Sequence, residues 1–438
     1  MKFIYRAVLA TALTASLIVA AVSMHTNHVS AQADSCNFAN AAWINTSGFG
    51  LSCVDDTGWH SYTSDNGFSS SEGLAVCPDS IYFGGGLKIK KFDGQNSTEL
   101  PSDKWIGVQN ISCGDKGTLW ASYIQGVSYF DGSKWTNYQK QFGTGPFTTI
   151  LKKVAAGPNG TAWVITDGSI AQFDGTTWTA YENGKGLTKD YHFSDLVVDA
   201  KGQTWAVTSD GLLNFKDGKW GTIQNKAISG ASSLAIAADG KLWVGTNTGL
   251  ASYDGKSWTT YTHKSSKLSA NRVNSVALDA QGRVWAGADY GLNVFDGKTW
   301  TLYLMSNSDI LDNNIGTIQV TANGPKLPAT QDKQPGSITG LITSGKSLVA
   351  GATFQLCTEF VGGLFQGDTP CGDNPYSISA KTDDKGVYTL DKVPVGRYGF
   401  VVQRGDGKWI QFIGMDSRIE VQEGQPTELP TIDVSKVG

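Results

Sequence analysis

Beyond an N-terminal leader the chain carries three histidines, His60, His192 and His263, none of them in an H-E-x-x-H spacing. No G-x-S-x-G elbow, phosphate-binding loop or C-x-x-C pair occurs either. No catalytic residue, cofactor or metal site is therefore expected. Asp199, Asp239 and Asp279 recur every 40 residues, each within three residues of a turn glycine. Such a series suggests calcium, but its periodicity fits turn residues that hydrogen-bond their own backbone. What remains is the chemistry of recognition, in clusters that mix charge, hydrogen-bonding groups and an aromatic ring. Lys189, Asp190, Tyr191 and His192 form one cluster. His263, Lys264, Asn271 and Arg272 form a second, and Asn313 with Asn314 a third.

The six cysteines are an even number, all beyond the leader, so disulfides are expected. Cys357 and Cys371 stand far from the rest and should pair with each other. Closing that loop of about 15 residues contributes roughly 3 kcal/mol in the chain-entropy model. Cys36, Cys53, Cys77 and Cys113 allow three connectivities, among which spacing does not choose.

Residues 1–33 read as a secretory signal, with a basic start at Lys2 and Arg6, an apolar run from Ala7 to Val22, and Ala31-Gln32-Ala33 as the cleavage site. That run is short for a membrane span of about 20 residues, and an uncleaved leader is the one expected route to a membrane. Its removal leaves 33 basic against 39 acidic side chains, a balance that argues against nucleic acid. With 53 glycines, 14 tryptophans and 17% charged residues, the composition suits short strands joined by tight turns.

The tryptophans reveal a repeat. Trp120 and Trp135, Trp163 and Trp178, Trp205 and Trp220, Trp243 and Trp258, and Trp285 and Trp300 each stand 15 apart, with Trp43 and Trp59 at 16. One further unit, around Tyr82 and Phe83, keeps only its Phe92-Asp93-Gly94. Taking first anchors at 43, 83, 120, 163, 205, 243 and 285 gives seven units of about 40 residues. Within a unit such as Ser233 to Thr262, alternating apolar residues and Asp-Gly pairs predict four short strands in hairpin order. Four-stranded sheets repeated in this way bury their faces on one another, which predicts a seven-bladed β-propeller over residues 34–320. Ile315 to Val320 reads as closure or a lead into the linker. The connections between successive units are the longest, should gather on one face around the channel, and carry the three polar clusters.

The pattern G-x-x-W-x-G-T…G-L-x-x-[YF]-D-G-x-x-W resembles the two-component regulator propeller repeat, found in extracytoplasmic sensor parts of bacterial kinases and in secreted proteins. Residues 321–336 are polar and proline-rich and read as a linker. From 337 to 438 the phrase TDDKGVYTLDKVPVGRYGF resembles carboxypeptidase regulatory-like and SpaA-like prealbumin-fold domains. That resemblance implies an immunoglobulin-like β-sandwich serving as a spacer or accessory module.

The chain is thus expected to be all-β, a propeller followed by a β-sandwich, exported to the cell surface or beyond. Its expected role is non-enzymatic recognition of an extracellular glycan, peptide or protein. One alternative is a propeller enzyme of lyase or hydrolase type. Streptogramin lyases are seven-bladed propellers that use a histidine and a divalent metal, and only His192 and His263 could serve here. A structural part in a surface assembly is the other alternative.

Overall fold

The computed structural model describes residues 35–438 apart from 47–48, 65–67, 69–72, 86–87, 95, 102–106, 125, 139–150, 200, 322, 359–370, 372–375, 412–417 and 436–438. The expected signal segment, residues 1–33, lies outside the described residues. The chain is all-β, with only short 3-10 turns between strands among the described residues. Seven sheets of four or five strands precede two further sheets. Within each of the seven, the four main strands pair antiparallel with their neighbours, and in one the short Gly186–Leu187 adds a parallel fifth.

Six of these blades take their four main strands consecutively. Blade 2 runs from Gly73 to Glu99, blade 3 from Val108 to Tyr138, blade 4 from Lys153 to Leu187, blade 5 from Phe193 to Ile223, blade 6 from Ala231 to Tyr261 and blade 7 from Val273 to Tyr303. Blade 1 is composite. Its three outer strands lie between Ala41 and Tyr62, and Ile315–Val320 pairs antiparallel with Ala41–Thr46 as its inner strand, Ile318 opposite Ile44. Each inner strand neighbours the next, and Ile315–Val320 neighbours Gly73–Cys77, so the ring closes.

The aromatic repeat is the wedge between blades. Trp163 of blade 4 packs edge-on against Phe215 and Trp220 of blade 5, and Trp120 of blade 3 against Phe173 and Trp178 of blade 4. In the unit lacking its first tryptophan, Tyr82 takes that place, packed in one cluster with Phe130 and Trp135 of blade 3. Phe83, the expected anchor, points the other way, into the cluster of Trp43. Successive strand residues face opposite sides of the sheet, so one position changes the neighbour. Glycine serves close approach at two motif positions. A Cβ on Gly287 would lie 2.5 Å from Ile315 of the next inner strand. At Gly249, with φ +147°, it would lie 2.4 Å from the Tyr261 carbonyl oxygen.

The inner strands do not pair with one another, so each would leave one backbone edge unserved. Side chains of the preceding blade serve it in two layers. In the first, a residue bulged out of register donates to the carbonyl that opens the next inner strand: Ser194 to Ala231 (3.1 Å), Ser232 to Val273 (2.7 Å) and Asn274 to Ile315 (3.2 Å). In the second, the following residue accepts an amide from the next blade: Asn110 from Val154 (3.2 Å), Ser233 from Val276 (3.0 Å) and Ser275 from Ile318 (3.0 Å). Gln319 of blade 1 grips blade 2 by accepting from Val76 and donating to Leu74. Between blades 2 and 3 no such bond is found among the described residues, because Gly73 and Ala75, in the places of Asn110 and Ser112 of blade 3, offer no side-chain acceptor. There the Cys77–Cys113 disulfide joins the two inner strands covalently. The other pairs are Cys36–Cys53 and Cys357–Cys371, with no free cysteine.

The 321–336 segment is laid along the propeller rather than hanging free. Arg283 donates to the Pro325 carbonyl, Tyr303 to that of Pro328, and the amides of Gln331 and Lys333 to Asn307 and Ser306. It leads to two facing sheets around a core of Ile338, Ile342, Phe354, Leu356, Tyr388, Tyr398 and Val402. One sheet is built on Gly336–Ser344 and Val387–Val393, the other on Thr353–Cys357 and Gly396–Gln403. This sandwich is docked on blades 7 and 1. Arg397 lies over the Phe49 ring at 4.0 Å, donates to the Leu311 carbonyl, and pairs with Asp312 at 3.2 Å and Glu420 at 3.2 Å. Tyr376 lies parallel to Tyr290 of blade 7, and Val395 enters the cluster of Met305 and Ile310.

Two outcomes are expected. Replacing Cys77 and Cys113 by Ser should lower stability by about 4 kcal/mol, the chain-entropy value for a loop of this length, read from urea unfolding. A loss under about 1 kcal/mol would mean that packing alone holds that interface. The second concerns Asp55, which anchors the N-terminal segment by accepting from the Asn37 amide at 2.8 Å. Burial pushes its carboxyl up, but hydrogen bonds from Thr57, Asn37 and His60 outweigh this and hold it at about 2, against 3.8 in the unfolded chain. Its stabilisation is complete above 3.8 and is lost as the pH falls toward 2. The stability difference between wild type and Asp55→Asn should shrink across that window. A difference constant with pH would remove the assignment.

Candidate functional site

The inner strands enclose a central cavity of about 560 Å³ that runs from the bulge layer at Gln109, Ser194, Ser232 and Asn274 to strand ends such as Cys113, Ala156 and Val198. Small polar and aliphatic side chains make up its wall, and no aromatic ring is among them. Three charged residues line it: Lys152, Lys153 and Asp195. They stand at the ring positions where other blades use Ser or Asn. Lys152 takes the donor place, its ammonium 3.2 Å from the Phe193 carbonyl and paired with Asp167 in the turn between the second and third strands of blade 4. Lys153 stands where an acceptor is needed and cannot accept. Asp195 of blade 5 resolves this. Its Oδ1 accepts from the Leu196 amide (2.8 Å) and from Lys153, and its Oδ2 accepts from Leu234 of blade 6 (2.9 Å). One carboxylate thus ties three blades together at the channel wall.

The sequence-derived clusters lie on the face formed by the blade-to-blade connections. Those connections hydrogen-bond the turns between second and third strands, as where the Ser209 amide donates to His192 and that of Asp289 to Arg272. Lys189 is exposed, pairs with Asp210 at 2.6 Å and lies 5.2 Å from the centre of the Tyr191 ring. Its hydrogen bond holds the Asp210 carboxyl below the usual range. A groove of about 530 Å³ runs between Lys189 and Asp210 and the blade 5 to blade 6 connection at Gln224, Asn225 and Lys226. Tyr191 is buried, its hydroxyl 3.2 Å from that of Thr188, while Asp190 and His192 are exposed. The Lys152 hydrogen bond holds the Asp167 carboxyl below its usual range.

The second cluster is spent on its own loop. His263 Nδ1 is 3.0 Å from the Leu268 carbonyl oxygen, and Asn271 Oδ1 accepts the His263 amide. Arg272 reaches Asp289 at 3.8 Å, and Lys264 is exposed. None of these residues lines either cavity, and no hydrogen bond or ion pair joins His192 to His263 among the described residues. Asn313 is buried near the docked sandwich, its Oδ1 accepting from Met305 and its carbonyl from Gly291. Asn314 donates its amide to Asp312. Both shape the docking loop. Asp199, Asp239 and Asp279 accept from amides of their own turns, and Asp279 also holds Arg283 and Trp285. Among the described residues, the grouping of metal-ligand atoms from three residues is Cys36, Asp55 and His60, and Cys36 is tied in its disulfide.

Lys152, Lys153 and Asp195 escaped the sequence reading because it sought function in loops. Their signal is a break in the repeat: Lys-Lys in blade 4 and Asp in blade 5 occupy aligned places where Ser-Ser stands in blade 6 and Asn-Ser in blade 7.

No family model and no curated protein matches the chain. Among solved structures it is similar to the extracellular domain of a candidate hybrid two component system from B. thetaiotaomicron, at 18% identity and TM-score 0.49 over 61% of this chain and 38% of that one. A second such domain from the same organism shares 13% identity, TM-score 0.47, over 82% of this chain and 55% of that one. Virginiamycin B lyase from Staphylococcus aureus shares 12% identity, TM-score 0.47, over 58% of this chain and 92% of that one. The chain spans about half or less of the length of these two extracellular domains.

Because Asp195 serves two amides and one ammonium, Asp195→Ala should cost about 3 kcal/mol in urea unfolding. A cost under about 1 kcal/mol would show that water replaces it and that the three-blade tie is energetically idle.

Proposed function

We propose that this chain is an extracellular binding module whose propeller takes a peptide segment of a partner into its central channel. The propeller is of the two-component regulator type, and the sandwich is a prealbumin-type accessory module that stiffens one side of the binding face. Three disulfides without a free cysteine suit an oxidising compartment outside the cytoplasm. The observation that carries the reading is the channel itself, a cavity of about 560 Å³ in the size range of ligand sites. Its wall offers hydrogen-bonding side chains and backbone but no aromatic ring on which a sugar could stack, which favours a peptide over a glycan. No chemistry on the ligand is proposed.

The test fills the channel without touching the ring. Thr317 is exposed on the wall and takes no part in the inter-blade bonds described above. Thr317→Trp should leave the melting temperature within a few degrees of wild type. On immobilised peptide and oligosaccharide arrays, the wild-type chain should show saturable retention by peptides that Thr317→Trp loses. Equal retention by both proteins would move the site off the channel. Retention on neither array would remove the binding reading.

A further inference from the structure

We infer that the channel recognises a carboxylate of an acidic peptide, captured between the ammonium groups of Lys152 and Lys153. This inference rests on the channel-binding reading above and supplies its chemistry. The starting point is an excess over what the fold requires. The donor place in the ring is filled by Ser194, Ser232 and Asn274, all short and neutral, and each makes the bond to the next blade. Lys152 makes the same bond with a longer, charged side chain. The acceptor place is filled by Asn110, Ser233 and Ser275, whereas Lys153 cannot do that work and needs Asp195 to compensate. Blade 4 therefore places two cations at adjacent positions of one channel wall, where neutral residues would close the ring with fewer complications.

Their present partners are unequal. Asp195 is buried, 7% exposed, and held by two backbone amides, so it stays with Lys153. Asp167 is 72% exposed in a turn and pairs there with Lys152. An incoming carboxylate can replace Asp167 on Lys152, and Lys153 retains donors beyond the one given to Asp195. With Asp195 fixed and Asp167 displaced, the wall carries one net positive charge for the ligand. Two ammonium groups on one carboxylate, in a cavity partly withdrawn from water, form charge-assisted hydrogen bonds that a neutral amide cannot match. The absence of aromatic rings from the wall assigns the carboxylate to a peptide rather than to an acidic sugar.

The experiment uses the purified chain and two variants that respect the ring. In Lys152→Ser the hydroxyl can donate to Phe193 as Ser194 does to Ala231, and in Lys153→Gln the amide can still donate to Asp195. Each protein is passed over random hexapeptide libraries with free and amidated C-termini, and over acidic and neutral oligosaccharides. Expected is enrichment of peptides bearing Asp, Glu or a free C-terminus, about tenfold over their amide counterparts, lost in Lys152→Ser and Lys153→Gln. Enrichment confined to the free C-terminal library would locate the carboxylate at the chain end, and enrichment in both libraries would locate it on side chains. Retention of neutral peptides, unchanged in both variants, would overturn the carboxylate while leaving a binding module. Retention of acidic oligosaccharides instead of peptides would overturn the peptide assignment. Retention of nothing would overturn this inference together with the reading beneath it.

Discussion

Seven strands that stand around a hub without pairing to one another each present a backbone edge that some other group must serve. This constraint explains more of the molecule than any other. The bulge near the start of several inner strands turns one side chain toward the next blade, and that side chain reaches the carbonyl opening the neighbouring strand. The residue after it accepts an amide one step further on. Small polar residues fit because a longer side chain would fill the channel and an apolar one would leave the edge dry. Where the rule lapses, at Gly73 and Ala75 of blade 2, the Cys77–Cys113 bond at the end of the strand takes over.

Outside the hub the same seven-fold problem is solved with surface rather than polarity. A flat ring from one blade packs against rings on the paired third and fourth strands of the next, and burial of such large side chains dominates the stability of the interface. The composite first blade then locks the ring, since Ile315–Val320 cannot leave without stripping the pairing of Ala41–Thr46. The C-terminal sandwich starts 16 residues later, and the intervening segment is tied down on the way. Arg397 completes that course at a partly buried ion pair with Asp312, whose carboxyl is pushed up by burial against the pull of the guanidinium. The sandwich is therefore part of the propeller's face.

Much of this was legible in the residues, and unevenly so. The repeat, its strand order and its turns follow from the spacing of Trp and Asp-Gly, because these depend on local geometry and on a period that a single chain displays. The place of Tyr82 was misjudged by one residue, which in a strand reverses the side it faces. The pairing of the first four cysteines was not legible, since it depends on which strand ends meet in space. Nor was the course of residues 321–336, whose prolines and polar residues look alike whether they hang in water or lie along a blade. The loop clusters were legible as loops but unequal in role: Lys189 borders a groove, whereas His263 and Asn271 bond to their own connection and Asn313 is buried.

The charged residues of the channel show why loops alone are an incomplete guide to function. In a repeat protein, the aligned position is itself an experiment run several times over on one scaffold. Ser and Asn serve it in blades 6 and 7, which shows what closure demands. Lys152 meets the donor demand with a longer, charged side chain, Lys153 does not meet the acceptor demand, and Asp195 must then divide itself among Lys153, Leu196 and Leu234. A buried charge with its compensating partner adds little stability over a neutral bond and is strongly destabilising when half removed. Such an arrangement is hard to account for by folding alone. It is readily accounted for if the second cation has a partner that arrives from outside.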